Sequence, residues 1–377
     1  MPLAELRKPS KALLKLWADQ QPEDRHEEFI PTADSLATWW TQITPGTTYW
    51  RAYVPAKHLP GQALRLKYSD LKQDAEGNVF VPRQRGTAIW QFVGVAVRAL
   101  IMAHQQDQGV RVLMELDDNY LVPVPIPLLP GSTRHWQTSL SHENAAEYSH
   151  QAHRKIVRWI DGLIVSTEEI AARYAQATQV PIYHCPNSID LDDWVGHAQG
   201  WGRARTGDSG ALAIGYAGSD SHRYDLALIE RGMDWAWRQP NVKLWKIGAA
   251  TKTWRVPYEQ VPWSDNLPEY RRNLQVLDVG LCPLKRSDWH DGKSDIKAME
   301  YLLSGAVPIV QRDSPCYRDW IDVVPSATTP KDWLKQIKWA VGAPREELRE
   351  VWQRGYDFLL ERKLIGQHIH KWQEAVK

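Results

Sequence analysis

The sequence predicts an α/β chain of two Rossmann-like, doubly wound domains facing a cleft, and three observations lead there. A chain of 377 residues exceeds what one ordinary hydrophobic core organises. Short, nearly continuous apolar runs alternate with helix-patterned segments, as in parallel sheets covered on both faces. The polar, glycine-rich stretch 196–210 then interrupts the series, and a fresh strand–helix alternation opens at Leu212. These breaks predict a first domain over 1–195, a linker over 196–210 and a second domain over 211–350. Helices over 351–377 close the chain and reach back toward the first domain.

Taken in order, residues 1–45 predict an amphipathic helix carrying Leu6, Leu13, Leu14 and Trp17, then a second helix around Ser35–Ile43. Tyr49–Val54 has a strand's aromatic content, and Gly77-Asn78 marks a turn in a hairpin or excursion over Gln62–Pro82. Ala88–Val93 and Val110–Leu116 read as strands, with a helix over Val95–His104 between them. The proline-rich Val122–Gly131 is a loop, followed by a helix over His142–Ile160 and a strand at Leu163–Ser166. Thr167 caps a helix with Glu168 and Glu169 in its first turn, and Pro181–Cys185 is the last strand of the first series.

The second series runs strand Leu212–Tyr216, helix Tyr224–Trp237, strand Val242–Ile247, a short strand at Val261–Trp263, helix Leu267–Leu274 and strand Val279–Pro283. A helix starting at Ser294 and stopping at Ser304-Gly305 leads into strand Ala306–Val310. Helices over Lys331–Val341, Pro344–Leu360 and Leu364–Val376 finish the chain.

Composition narrows the function. Hydrophobic and charged contents of 43% and 24% are those of a water-soluble globular protein. A net charge of +1 excludes a generally basic nucleic-acid binder, although residues 51–111 hold nine Lys/Arg against four Asp/Glu. Cys185, Cys282 and Cys316 are scattered without ligand spacing, so neither zinc nor a disulfide framework is expected. No apolar run approaches a membrane span and the N-terminus lacks a signal peptide's apolar core, which predicts a cytoplasmic protein. Twenty Trp beside four Phe offer faces for sugars or bases, though most tryptophans simply fill cores.

The chemistry concentrates in Gly292–Val310. Free backbone N–H groups at a helix start, with Lys293 before them, Ser294 at the cap and Lys297 in the first turn, make an anion site. Glu300 follows one turn later, where its carboxylate can accept two ribose hydroxyls. Phosphate beside ribose is a nucleotide. Gly218 and Ser219, with His222 and Arg223 behind them, end the first strand of the second series and add amides, an imidazole and a cation for phosphate. Asp117 and Asp118 end a strand in the first series, placed to position an acceptor hydroxyl or take its proton.

Four segments together resemble the GT-B nucleotide-sugar glycosyltransferases, particularly the retaining family-4 group. They are Asp161–Tyr174, Val180–Asp190, Ile214–Asp225 and Asp278–Val310, in an order that spans roughly 85–320. The resemblance implies transfer from a nucleoside-diphosphate sugar to an acceptor hydroxyl, with retention and with neither metal nor cofactor. The donor lies on the second domain, with Glu300 near the ribose. The family's first glutamate, eight positions earlier, is Gly292 here, so Asp291, Lys293 or Asp295 would take over part of sugar recognition. Two readings of the acceptor stay open: a glycan or small molecule, or the hydroxymethylated DNA on which bacteriophage enzymes of this fold act. The DNA reading draws on Arg51, Lys57, Arg65, Lys67, Arg83, Arg85 and Arg111 with Trp50 and Trp90 among them. A non-catalytic nucleotide- or carbohydrate-binding protein and a nucleotide-sugar epimerase are the competing functions.

Overall fold

The computed structural model describes residues 36–41, 45–59, 62–65, 72–73, 79–80, 86–91, 102, 105–122, 153–195, 210–219, 222, 224–248, 254–262, 264 and 266–377. The chain divides into two compact units, Met1–Pro186 with His368–Lys377, and Asn187–Gln367. The first expected helix at the N-terminus, that over Val95–His104 apart from Met102, the loop Val122–Gly131 beyond its first residue and most of the 196–210 stretch lie outside the described residues. So does most of the expected helix His142–Ile160, which the structure describes as helical over 153–156.

The first unit is built on a six-stranded parallel sheet in the order β2-β1-β5-β6-β7-β8. Its strands are β1 Ala37–Thr41, β2 Gln62–Arg65, β5 Thr87–Gln91, β6 Arg111–Leu116, β7 Gly162–Val165 and β8 Ile182–His184. Within the expected hairpin or excursion over Gln62–Pro82, Gln62–Arg65 joins the main sheet as β2, β3 Lys72–Gln73 pairs antiparallel with β4 Val79–Phe80, and the Gly77-Asn78 turn lies outside the described residues. The strands β5, β6 and β7 are buried along nearly their whole length, and each is built on an apolar run, with polar residues only in β5 and β6. One core cluster gathers Trp90, Met114, Val157, Leu163 and Tyr174.

Two expectations in this unit are corrected. Ser35–Ile43 holds strand β1, not a helix: Ala37–Thr41 is buried at all five positions, between β2 and β5. A central strand wants Trp and Thr on both faces, and that composition has no polar face for a helix to present. Tyr49–Val54 is helical, not extended. A helical run passes from α1 Pro45–Thr48 through a π-helical turn at Tyr49–Tyr53 into α2 Val54–His58. The turn buries Tyr49, Trp50 and Arg51 together, and tertiary pairing of Arg51 overrides the strand preference of the aromatics.

Helix α3, Glu168–Tyr174, begins where expected, with the Thr167 hydroxyl accepting the Ile170 N–H. Residues 368–377, most of the C-terminal helix, group with this unit. There Trp372 packs at 6.3 Å from Trp39, and the carbonyls of Ala375 and Val376 accept from Arg111 and Thr87.

The second unit has a parallel sheet in the order β11-β10-β9-β12-β13-β14. Its strands are β9 Leu212–Gly218, β10 Val242–Gly248, β11 Glu259–Pro262, β12 Val279–Cys282, β13 Val307–Gln311 and β14 Ser326–Ala327. Its helices are α4 Glu230–Trp237, α5 Leu267–Leu274, α6 Ile296–Leu303, α7 Pro330–Gly342 and α8 Arg345–Arg362, and α9 Ile365–Val376 groups with the first unit from His368 onward. A 3₁₀ turn, Asp225–Leu228, stands where the expected helix Tyr224–Trp237 was to begin, and α4 supplies the rest. Helix α6 ends as expected, with Ser304 at the cap and Gly305 at φ 84°, a left-handed backbone that favours glycine. Among the described residues, no helix is long and apolar enough to cross a membrane.

Candidate functional site

Strand order places the site in the second unit. From β9 the chain moves to β10 and β11 on one side, then returns to lay β12, β13 and β14 on the other. Connections therefore diverge between β9 and β12, and the carboxyl ends of such a strand pair are where open α/β sheets bind ligands. They pair only at Val279↔Ile214 and Gly280↔Gly215 before separating. Tyr301 of α6 enters the gap, its hydroxyl accepting the Ala217 N–H at 2.8 Å. Its ring lies so close to Gly280 that a Cβ there would come within 2.3 Å of it. Gly218 ends β9 under a similar constraint, since its Cβ would stand 2.3 Å from the buried Tyr216 hydroxyl.

Beyond these strand ends lies a compact charged group. Asp225 is fully buried, with Oδ2 2.8 Å from His222 Nδ1 and 3.6 Å from His290 Nε2. Its Oδ1 accepts the Lys285 N–H at 2.8 Å, and the Ser287 hydroxyl meets His290 Nδ1 at 2.9 Å. Burial pushes the Asp225 carboxyl up to about 6, against the Lys285 amide and the lysines. Burial first, then Lys297, Lys293 and His290, hold His222 well below the usual histidine range, so its ring is neutral. Lys297 is itself lowered, by burial and then by the neighbouring Lys293. The two imidazoles and the carboxylate converge within 4.8 Å, a spacing a divalent cation could bridge. Two ammonium groups beside them make the local potential positive and favour an anion instead.

Helix α6 carries the remaining residues. It starts at Ile296 with Asp295 at the cap position and no side-chain cap, so Ser294 is not the N-cap. The Ser294 hydroxyl instead accepts from Asn187 Nδ2 at 2.9 Å, and the Asp295 carboxylate is drawn to Lys363 and the Trp320 indole, both at 2.8 Å. Asp291 is held by Arg286 at 2.6 and 2.9 Å. Both carboxylates expected to replace the glutamate missing at Gly292 are thus engaged with other side chains. Lys293 stands over the Trp289 ring and Lys297 over Tyr216. Glu300 is buried and accepts a 2.9 Å hydrogen bond from Tyr270, which fixes the carboxylate's direction.

No protein-family model matches the chain, and no curated protein matches it in sequence. Solved structures do match in fold. One is a trehalose-6-phosphate protein from E. coli bound with UDP-2-fluoro glucose, at TM-score 0.51 and 12% identity over 78% of this chain and 72% of that one. Another is the UDP-forming α,α-trehalose-phosphate synthase of Burkholderia xenovorans in complex with glucose-6-phosphate, at TM-score 0.51 and 12% identity over 77% and 72%. A third is a trehalose-6-phosphate synthase studied for glycosyl transfer with retention, at TM-score 0.51 and 12% identity over 78% and 73%. The chain has the GT-B fold.

Within this GT-B chain, Asp117 and Asp118 fall in the first unit, half-buried just after β6. Tyr120 donates to Asp117 Oδ1 at 3.2 Å, and the Ser166 hydroxyl bonds the Asp117 carbonyl. Arg223 lies outside the described residues, as do Lys67, Arg83 and Arg85 and the side chain of Arg65. The basic face expected for DNA is reduced by what is described. Lys57 is exposed, but Trp50, Trp90 and Arg51 are buried, and Arg111 is turned onto the Ala375 carbonyl and Tyr183. Arg51 bonds Glu115 at 2.5 Å and the Cys185 carbonyl at 2.6 Å.

The sequence reading missed Asp225, His290, Tyr270 and Tyr301. Asp225 had a local signal, since it follows His222 by three residues and shares a face of one turn with it. His290 is brought to Asp225 and Tyr270 to Glu300 from distant segments without a local signal, and Tyr301 lies beside Glu300 on α6 but meets Ala217 across 84 residues.

Proposed function

We propose that the chain is a glycosyltransferase that moves a sugar from a nucleoside-diphosphate sugar to an acceptor hydroxyl, with retention and without metal. The observation that carries this reading is the placement of His222, Lys293, Lys297 and Glu300 around the carboxyl ends of β9 and β12. When the bond from the anomeric carbon to the diphosphate breaks, negative charge grows on the leaving oxygen, and stabilising that charge is the protein's main task. Lys293 and Lys297, the amides of Gly218-Ser219 and the start of α6 are arranged to do so, with Arg223 as a further cation. Protein cations take the part that a metal plays elsewhere. Glu300, oriented by Tyr270, receives the ribose.

Retention is the outcome named for the third structural neighbour, and it implies attack on the face the diphosphate leaves. The acceptor oxygen bonds the anomeric carbon as the diphosphate departs, and the acceptor's proton passes to the leaving phosphate oxygen. Asp117 and Asp118 are the carboxylates assigned to the acceptor.

The test uses purified protein with UDP- and GDP-sugars. UDP or GDP at a hundredfold its Kd should stabilise the fold by about 2.7 kcal/mol, because it binds the native state only, and chelator should not change the shift. Slow donor hydrolysis with retained anomeric configuration should be visible by NMR. A strict metal requirement removes the metal-free reading, and binding without turnover identifies a non-catalytic protein. Rearrangement of the donor alone identifies an epimerase.

A further inference from the structure

We propose that Asp225 makes diphosphate binding in the second unit conditional on uptake of a proton by His222. This rests on the reading that the site takes a nucleoside diphosphate, and it assigns Asp225 a role as a positioning residue. The argument begins with hydrogen-bond directions. An ionised carboxylate only accepts, so at 2.8 Å from Asp225 Oδ2 the His222 Nδ1 carries the ring's hydrogen and donates it. Neutral His222 then has its lone pair at Nε2. A phosphate oxygen is also an acceptor, and two acceptors do not bond. Nε2 engages the diphosphate only after taking up a proton from solvent.

The groups around His222 make that uptake switchable. Facing it among the described residues are Asp225 from its own turn, His290 from the loop after β12, and Lys293 and Lys297 at the start of α6. In the unliganded site, burial and the positive members keep the ring neutral. A diphosphate brings negative charge among the lysines and reverses the local field, while Asp225 stabilises the imidazolium as it forms. Asp225 can serve this way because its own position is fixed. One oxygen is held by the Lys285 amide, and His290, anchored by Ser287, flanks the other.

Calorimetry of UDP and GDP binding to the whole protein at pH 7.5, in buffers of different ionisation enthalpy, counts the protons directly. Uptake should approach about one proton per nucleotide, and affinity should fall by up to about tenfold per pH unit above neutrality. In Asp225→Asn the amide can donate to Nδ1, leaving Nε2–H already in place, so uptake and pH dependence should both largely disappear. His222→Gln carries a permanent N–H donor and should flatten the profile in the same way. If Asp225→Asn fails to fold, the wild-type count and His222→Gln decide. Nucleotide binding with buffer-independent heat overturns this inference alone. Failure of both nucleotides to bind overturns the donor-site reading, and this inference falls with it.

Discussion

The two sheets each gather buried charge near the carboxyl ends of their strands, and they treat it in opposite ways. In the first unit Arg51 meets Glu115 at 2.5 Å, gives a second bond to the Cys185 carbonyl, and lies 4.9 Å from the Trp372 ring centroid. The cation is matched by a carboxylate from its own unit and covered by an indole. In the second unit Lys293 and Lys297 stand beside one another and beside His222, and burial first, then that proximity, lowers both Lys297 and His222. Like charges placed together cost stability in the free protein, and an anionic ligand returns that cost on binding. The contrast separates a buried pair matched within the fold from a cluster of like charges, which we propose receives an anionic ligand.

The largest effect should come from breaking the matched pair. Arg51→Met removes two hydrogen bonds from a charged donor, to Glu115 and to the Cys185 carbonyl, and at about 1.5–3 kcal/mol each should destabilise by about 3–6 kcal/mol in urea unfolding. The sign of its pH dependence follows from Glu115. Burial raises that carboxyl to about 8 even though Arg51 lowers it. A carboxyl raised in the folded state contributes stability that is complete below its unfolded value, near 4.5, and is lost as pH rises toward 8. Removing Arg51 raises the carboxyl further, so the variant's deficit should stay level up to about 8 and grow above it, where only the wild-type carboxyl ionises. A deficit that shrinks as pH rises above about 8 would show that Glu115 is not held in this way.

A smaller effect belongs to ligand binding. Glu300→Gln should weaken UDP or GDP binding by about 1.5–3 kcal/mol, the range for hydrogen bonds to a charged group. Unfolding should change little, because the Gln carbonyl can still accept from Tyr270. Unchanged nucleotide affinity in calorimetry would remove Glu300 from the site.

The same contrast explains what could be seen in the sequence. Strands such as Leu212–Gly218 and Gly162–Val165 are buried on both faces, and that burial writes itself into the chain as an apolar run. The closeness of Lys293, Lys297 and Glu300 was legible because a helix start and one further turn bring them together locally. Ala37–Thr41 and Tyr49–Tyr53 were misread because short aromatic segments suit either state and tertiary burial decides between them. His290 reaches Asp225 across 65 residues and Tyr270 reaches Glu300 across 30, and neither separation leaves a local pattern. The matched pair was hidden for the same reason: Arg51 and Glu115 lie 64 residues apart, so Arg51 passed for a surface cation.

Removing a cation from the second unit is the sharpest check on the contrast, because the expected sign is opposite to that for Arg51. Lys297 is partly buried, its ammonium lies 5.8 Å from the Tyr216 ring centroid, and both burial and Lys293 disfavour its charge. Methionine keeps most of the side chain's length and its contact with the ring while removing the charge. Lys297→Met should therefore stabilise the free protein, by about 0.5–2 kcal/mol, the usual gain from relieving a functional site. Relief of His222 should follow, with its imidazole titrating closer to the ordinary range by NMR, because Lys297 is the largest electrostatic contributor to its lowering. Nucleotide affinity should fall at the same time, since the diphosphate loses one of its cations. Destabilisation of the free protein by Lys297→Met would place Lys297 with Arg51, as a cation matched inside the fold. The distinction between the two clusters would then fail at the residue where it predicts the clearest reversal.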